Sequence, residues 1–522
     1  MMGYDIVIKN GLIIDGTGKP RFRANVYIKD GLIVKVGEGA ETGDLVIDAK
    51  GLIVCPGFLD THNHSDYMLL LNGRAESFIH QGVTTLNIAN CGHSPAPLDS
   101  KRGDRSSIMW GLNVTVDWST FDEYFRRLER SKIGVNVRCM VGFGTVREAV
   151  MGFEMRDPTK DELDEMKAHV EKAFDEGVFA LSTGLTYPPQ CYSKTEEVVE
   201  LAKVASKKGG VYYTHTRGGQ GGVQEALEIG FKAKIPVQIS HYTPLRDEGY
   251  TILEEARARG LDVAFDAYPY TAGCSYMSGI YIPGWAHEGG VSKMLERLRD
   301  PETRNKIADE WAKRERGVWP NGRSNTPMVA YVSNERFKKY EGLTINEVAE
   351  MMDVDLVDAM AALIIGNENN VMRIGLFSRD PRGVVKAFRH PLMVLGSDGW
   401  SFAPYGVLHT GKPHPRCYGT YPKTLGLFSR DLGILTLEEA VKKMTSAAAG
   451  RLLITDRGVI EQGYKADITI FNPENVSDNA TYREPHQYPS GIEYVIVNGK
   501  LTIDRGEHTG VLAGEVLRYS PP

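Results

Sequence analysis

The chain of 522 residues is short of paired cysteines, of basic charge and of long apolar runs. Its six cysteines, Cys55, Cys91, Cys139, Cys191, Cys274 and Cys417, are scattered, and none sits in a C-x-x-C pair. That spacing excludes a disulfide scaffold and a zinc ribbon, and it suits a reducing compartment. Lysine and arginine total 61 against 67 acidic residues, a net charge of −6. A nucleic-acid partner normally needs a basic face, so this balance argues against one. No apolar run approaches the roughly 18 residues of a membrane-spanning helix. The opening Met1-Met2-Gly3-Tyr4-Asp5-Ile6 lacks the charged stretch and apolar stretch of a secretory leader. A cytoplasmic protein with no membrane partner is therefore expected. P-loop and dinucleotide fingerprints are missing too; Gly218-Gly219-Gln220-Gly221-Gly222 is glycine-rich without the required spacing.

What is present is a soluble globular balance, 42% hydrophobic and 25% charged, in a chain long enough for more than one domain. Residues 4–50 read as short strands, Tyr4 to Lys9, Leu12 to Asp15, Asn25 to Lys29, Leu32 to Val36 and Leu45 to Ile47, punctuated by Asn10-Gly11, Asp15-Gly16 and Asp30-Gly31 turns. Residues 458–504 are β-rich in the same way. Between them, apolar strands alternate with helical stretches. Eight strands stand out: Leu52–His64, Val83–Asn90, Val135–Phe143, Phe179–Leu185, Val211–His215, Val237–His241, Val263–Tyr268 and Leu392–Ser397. Near-continuous apolar runs suit parallel strands covered on both faces. The intervening segments carry helical spacing, as in Leu163, Met166, Val170 and Phe174, or Val198, Leu201, Ala202 and Ala205. Eight such units predict an α/β fold, a TIM-type (β/α)8 barrel, with a doubly wound open sheet as the alternative. Residues 271–391 are too long for a simple crossover and read as an insertion after the seventh strand, with a charged helical stretch at Val291–Arg316.

The chemistry lies at the strand ends. In Phe58-Leu59-Asp60-Thr61-His62-Asn63-His64 the two histidines stand two residues apart, and i and i+2 in a strand share a face. The second strand leads to Cys91, the fifth ends in His215, the sixth in His241, and the eighth leads to Asp398. Carboxyl ends of barrel strands converge on one mouth. Nitrogen, sulfur and carboxylate groups together suit zinc. A zinc site with an open position acidifies water and polarises a carbonyl, and Asp398 is the strand-end carboxylate placed to carry the proton. This constellation points to hydrolysis, most naturally of an amide.

The motifs closely resemble the D-aminoacylase (N-acyl-D-amino-acid deacylase) family of the amidohydrolase superfamily, over nearly the whole chain. The matching segments include Pro56 to His64, Asn90-Cys91-Gly92-His93-Ser94, Leu181 to Pro189 and Thr214-His215-Thr216-Arg217. They continue in Ile239-Ser240-His241, Asp266-Ala267-Tyr268-Pro269-Tyr270, Gly396-Ser397-Asp398-Gly399 and His414-Pro415-Arg416-Cys417-Tyr418-Gly419-Thr420. The resemblance implies a small β-sandwich domain from residues 1–55 and 455–522, a metal-dependent barrel from 56–454, and a lid-like insertion at about 275–345. It implies that Cys91, His215 and His241 hold one zinc tightly, that His62 and His64 mark a second, weaker position, and that Asp398 is general base and acid. Many superfamily members bridge two metals with a carbamylated lysine on the fourth strand; Ala180-Leu181-Ser182-Thr183 has none, which leaves Cys91 as the bridge. The substrate implied is a small N-acylated D-amino acid whose carboxylate is gripped by Arg416, with Tyr268 and Ser275 assisting. Two departures weaken that pocket: Thr243 stands where the family often has lysine, and Cys274 where it has serine. Arg217 and Arg246 are the candidates to compensate. A cyclic-amide hydrolase of hydantoinase or dihydroorotase type is the alternative activity, and a non-catalytic scaffold of the same fold the reading from another class.

Overall fold

The apolar run that begins at Leu52 serves two different sheets, and Gly57 is where it changes over. The computed structural model describes residues 3–39, 42–98, 109–313, 327–376 and 378–521. Ile53–Pro56 joins a sheet built from both chain ends, while Phe58–Asp60 opens the barrel. A Cβ at Gly57 would lie 2.3 Å from the Thr84 side chain, so the crossing needs glycine. The expected single strand over Leu52–His64 is thus two strands, because neither sheet can accept the whole run.

The first sheet has nine strands. Tyr4–Ile13 pairs antiparallel with Phe22–Lys29 and parallel with Gly43–Asp48 and Ile53–Pro56. Ile53–Pro56 pairs with Ile468–Phe471, which brings in Ile492–Val497 and Lys500–Asp504. Ile6, Ile8, Val26, Ile28, Ile468, Ile470 and Ile496 pack together on one side. Asn10-Gly11 does not turn the chain here. Asn10 takes a left-handed φ of 62° and the register slips between Ile8 and Gly11, a bulge inside one continuous strand.

Eight parallel strands follow. Phe58–Asp60, Val83–Ile88 and Asn136–Cys139 form one arc. Val141–Gly142, Ala180–Gly184, Val211–His215, Val237–Ile239, Val263–Ala267 and Met393–Leu395 form the other. The third strand contributes to both arcs, on either side of Met140. The eighth returns to the first: Thr61 N donates to Leu395 O at 3.5 Å, and Asn63 bridges in parallel to Gly399. A doubly wound sheet would leave two free edges; this order closes. Around it, helix Lys160–Asp175 is started by a Thr159–Glu162 capping box and buries Met166, Val170 and Phe174. Helix Thr195–Lys207 buries Val198, Leu201, Ala202 and Ala205. Among the described residues, no helix is long and apolar enough to cross a membrane.

The insertion has its own sheet and core. Gly273–Tyr276, Val371–Gly375 and Pro327–Val332 make an antiparallel sheet with Val371–Gly375 in the middle. Met277, Tyr281, Met294, Leu298, Ile307 and Leu363 pack beneath it. The element therefore runs to Gly375, beyond the expected limit near 345, because its central strand is the last to arrive in sequence. The helical stretch expected at Val291–Arg316 is two helices, Val291–Arg299 and Pro301–Lys313, broken where Pro301 starts anew; its last residues, within 314–326, lie outside the described residues.

Candidate active site

Three of the chemistry-bearing side chains reach the barrel mouth because the backbone leaves its strand abruptly. Cys91, His241 and Asp398 have φ of 55°, 39° and 54°, in the left-handed region that residues other than glycine seldom adopt. Such conformations cost of order 1–3 kcal/mol each and persist where neighbours over-determine them. The neighbours are visible. Asp398 N donates to His62 O at 2.8 Å. His241 N donates to Asp266 Oδ1 at 2.7 Å. Gly92 N, just after Cys91, donates to Ser182 Oγ at 3.1 Å. His62 and His64 stand past the end of their strand, in an extended piece held by the Asn63–Gly399 bridge, so the two rings still face one way, 5.3 Å apart.

The donors fall into two overlapping sets. In the first, His62, His64 and Cys91 place one ligand atom each within 4.8 Å of one another. In the second, Cys91, His215 and His241 do the same. Cys91 is common to both. Its sulfur lies 3.4 Å from His62 Nε2 and 3.9 Å from His215 Nδ1, and His215 Nδ1 lies 3.0 Å from His241 Nε2. Outer partners set which ring nitrogen points inward. Thr186 Oγ1 holds His215 Nε2 at 3.0 Å, and Asp266 Oδ1 stands 3.3 Å from His62 Nδ1. Asp60 accepts from His62 N and Asn63 Nδ2 on one side and from Ser397 N on the other, tying the first strand end to the eighth.

The electrostatics fit a cation. Burial alone would raise the Cys91 thiol, but His62, His215 and His241 pull it well below its usual range, into the thiolate form that ligates metal. Burial lowers His241, which keeps it neutral, also the ligating form. Burial opposes protonation of His64 as well, yet its Asp398 hydrogen bond and Cys91 lift it to about 9. A cation bound here displaces such protons, as metal binding at imidazole generally does. Thiolate and imidazole donors suit zinc.

Asp398 faces both sets. Its Oδ1 lies 3.0 Å from His64 Nε2 and 3.4 Å from His62 Nε2. Burial would raise its carboxyl, but Arg416, His62 and His64 together hold it well below the usual range. Arg416 sits behind it: Nη1 pairs with Asp398 Oδ2 at 2.7 Å and donates to Tyr268 Oη at 2.8 Å, and Nη2 donates to Cys274 O at 3.3 Å. Arg416 is fully buried, its Nε has no hydrogen-bond partner, and it is not among the described residues that line the two cavities at the mouth.

Two joined cavities open there. The smaller, about 300 Å³, is lined by His64, Cys91, His215, His241 and Asp398, and also by Tyr268, Ser275, Arg373 and Arg379. The larger, about 610 Å³, shares His64, His93, Tyr187, Tyr276 and Trp400 with it. Tyr268 and Ser275 both line the smaller cavity, with Ser275 Oγ 3.3 Å from Tyr187 Oη. Of the expected compensators, Arg217 is occupied by Glu225 at 3.0 Å, and neither it nor Arg246 lines either of these two cavities. Thr243 lines neither. Asp60, Asp266 and Thr186 carried no role in the sequence reading; the signal available was their place at the ends of strands already marked. Arg373 and Arg379 carried no signal, since nothing in the sequence shows that the strand Val371–Gly375 brings Arg373 to the cavity or that the chain beyond it brings Arg379 there.

The model of the Amidohydrolase family matches residues 45–503. The D-aminoacylase of Alcaligenes xylosoxydans xylosoxydans is 32% identical, over 98% of this chain and 97% of its own length. Among solved structures, the N-acyl-D-glutamate deacylase of Bordetella bronchiseptica, complexed with zinc and a phosphonate mimic of the tetrahedral intermediate, is similar with a TM-score of 0.84 at 28% identity, covering 99% of this chain and 100% of that one. A D-aminoacylase structure, described in terms of a binuclear centre with one-metal activation and second-metal attenuation, is similar with a TM-score of 0.83 at 31% identity, covering 99% and 100%.

Proposed function

The chain belongs to the amidohydrolase family, and on that premise we propose that it is a zinc-dependent N-acyl-D-amino-acid deacylase, releasing a carboxylic acid and a D-amino acid. The observation that carries this is the shared thiolate. Cys91 stands in both donor sets, with Asp398 facing both from the other side. Cys91, His215 and His241 would hold the tighter zinc, and His62 and His64 a second one through Cys91. Zinc supplies polarisation of the scissile carbonyl and acidification of the attacking water. The preference for a D-amino acid and a linear amide rests on what the similar proteins are named for.

The chain's own residues do the rest. Asp398 Oδ1, ionised at neutral pH, accepts a proton from the water as its oxygen adds to the carbonyl carbon. The same oxygen then delivers that proton to the amide nitrogen, the C–N bond breaks, and Asp398 is again a carboxylate. Arg416 keeps the carboxylate oriented and ionised through the second oxygen. Tyr268 and Ser275 offer hydroxyls to the substrate from the far wall of the smaller cavity. The larger cavity takes the bulk of the acyl group or side chain.

The test compares acid release from N-acetyl-D-amino acids and their L enantiomers, before and after chelation and after zinc is restored. Turnover of D substrates that disappears with zinc and returns with it is expected. Equal D and L rates, or full activity in metal-stripped protein, would sink the proposal.

A further inference from the structure

The two cavities meet beside the metal donors. Among the described residues, His64, His93, Tyr187, Tyr276 and Trp400 line both. They stand as ring pairs, His64 stacked on Trp400 with centres 5.3 Å apart and His93 tilted against Tyr187 at 5.8 Å. Cys91, His215, His241 and Asp398 line the smaller cavity alone, so the scissile carbonyl belongs there. The smaller cavity is also the cationic one, with Arg373 and Arg379 on its wall, and it draws the substrate carboxylate. In an N-acyl-amino acid the carboxylate and the side chain share one carbon. The acyl group lies on the other side of the scissile bond. With the carbonyl at the metal donors and the carboxylate in the smaller cavity, the acyl group is the part that points through the rings into the larger one.

That larger cavity is far too big for an acetyl methyl. Its volume is about 610 Å³, the size of a site that encloses a whole organic ligand. It is built between the barrel and the insertion. The barrel gives it an apolar wall: Met68, Leu98, Leu112, Phe153 and Ala149, the last on helix Phe143–Met151. Met68 and Leu112 belong to the buried cluster that also holds Trp110 and Trp400, so this wall is firmly packed. The insertion closes the other side with Val291, at the start of helix Val291–Arg299, and with the small polar Ser278 and Ser333. Asp66, Glu148 and Glu368 are its carboxyl groups, and among the described residues no lysine or arginine lines it. An anionic acyl group finds no cation there, whereas an uncharged chain buries apolar surface against the barrel wall.

We propose that the larger cavity is an acyl subsite, and that the preferred substrates carry an uncharged, medium-chain acyl group in place of acetyl. The inference rests on the deacylase reading above. It concerns the acid that is released rather than the amino acid. An acetyl group leaves the cavity to water, while a longer chain displaces that water and covers Met68, Leu98 and Leu112. Binding energy from this remote part of the substrate then helps to hold the carbonyl at the metal donors.

The experiment measures kcat/KM for N-acetyl-, N-butanoyl-, N-hexanoyl- and N-octanoyl-D-alanine, with two comparators. One is the N-acetyl-D-amino acid with a heptyl side chain, an isomer of N-octanoyl-D-alanine that carries the same chain on the other side of the amide. The other is N-succinyl-D-alanine, which adds a charge to the acyl group. Burying a methylene is worth about fourfold, so with half of the added chain buried kcat/KM rises on the order of 100-fold from acetyl to octanoyl. N-octanoyl-D-alanine should exceed its isomer, and N-succinyl-D-alanine should fall below N-butanoyl-D-alanine. Ala149→Phe puts bulk into the cavity and should shrink the octanoyl-to-acetyl ratio roughly tenfold or more. Val291→Trp does the same from the insertion side, at a half-buried position, and stands in if Ala149→Phe does not fold. Acetyl equal to octanoyl, the isomer preferred, succinyl preferred over butanoyl, or a ratio unmoved by both variants would overturn the acyl subsite while leaving the deacylase reading intact. No turnover of any of the six substrates would overturn both.

Discussion

Arg416 separates two accounts of this site. As a grip on the substrate carboxylate, which the family resemblance implies, its loss raises KM. As the structure has it, Arg416 is fully buried, with Nη1 2.7 Å from Asp398 Oδ2 and 2.8 Å from Tyr268 Oη. At an effective dielectric near 20, two charges at that separation attract by about 6 kcal/mol, and desolvation of both offsets much of it. Breaking one side of such a pair costs about 3–5 kcal/mol, since the remaining charge stays buried. Arg416→Met therefore destabilises the fold by that order and lets the Asp398 carboxylate turn away from the water it serves. A misplacement of about 1 Å in such a group costs on the order of 100-fold in rate. The expected result is a fall in kcat of that size with KM within about threefold, partly rescued in kcat by Arg416→Lys. Urea unfolding gives the stability change, elemental analysis shows whether zinc is retained, and steady-state kinetics on one good substrate splits kcat from KM. A KM raised tenfold or more at unchanged kcat would refute the reasoning and return Arg416 to the substrate.

Two further outcomes follow from the same geometry. Asp398→Asn keeps the donor sets and so keeps zinc by elemental analysis, while kcat falls by a factor on the order of 100 to 10,000, the usual worth of a general base; wild-type turnover in this variant would remove Asp398 from the mechanism. Cys91→Ala strips a ligand from both sets and should leave less than one zinc per chain, whereas His64→Ala should lower only the second equivalent; equal zinc losses in the two variants would show that the sulfur is not shared.

The strand-end donors were legible because chemistry and position coincide in them. His62, His64, Cys91, His215, His241 and Asp398 each follow an apolar run, and a parallel barrel brings all such ends to one side. The barrel itself was legible for the same reason, since strands buried on both faces leave uninterrupted apolar sequence. What was not legible depends on contacts between distant segments. The left-handed turns at Cys91, His241 and Asp398 look like ordinary sequence, and they are set by partners such as Asp266 and Ser182 on other strands. The partner of Arg416 is decided by a side chain 18 residues earlier, turned by such a conformation. The Arg373 strand of the insertion reaches the site by pairing with Gly273–Tyr276, almost a hundred positions away in the chain. A short strand of mixed character gives no sign of which sheet it will complete.

The absence of lysine on the fourth strand is also more than a missing ligand. Ser182 stands there, and its hydroxyl donates to Ala89 O at 2.6 Å and accepts from Gly92 N at 3.1 Å. Ala89 itself has a φ of 67°, so two left-handed residues flank Asn90 in the turn that delivers Cys91. Asn90 Nδ2 anchors the same turn to Asn63 O at 3.1 Å and Asn87 O at 2.8 Å. Gln190 closes it from outside, donating to Cys91 O at 3.1 Å and leaving no room for a Cβ at Gly92, which would lie 1.9 Å from Gln190 Oε1. Ser182 thus holds the turn that delivers Cys91 to the barrel mouth. A long basic side chain at 182 would lose both hydrogen bonds and crowd the strand end where Cys91 emerges. Cys91, Ser182 and Gly92 form one structural unit: the serine ties both flanks of the turn, and the glycine leaves room for Gln190.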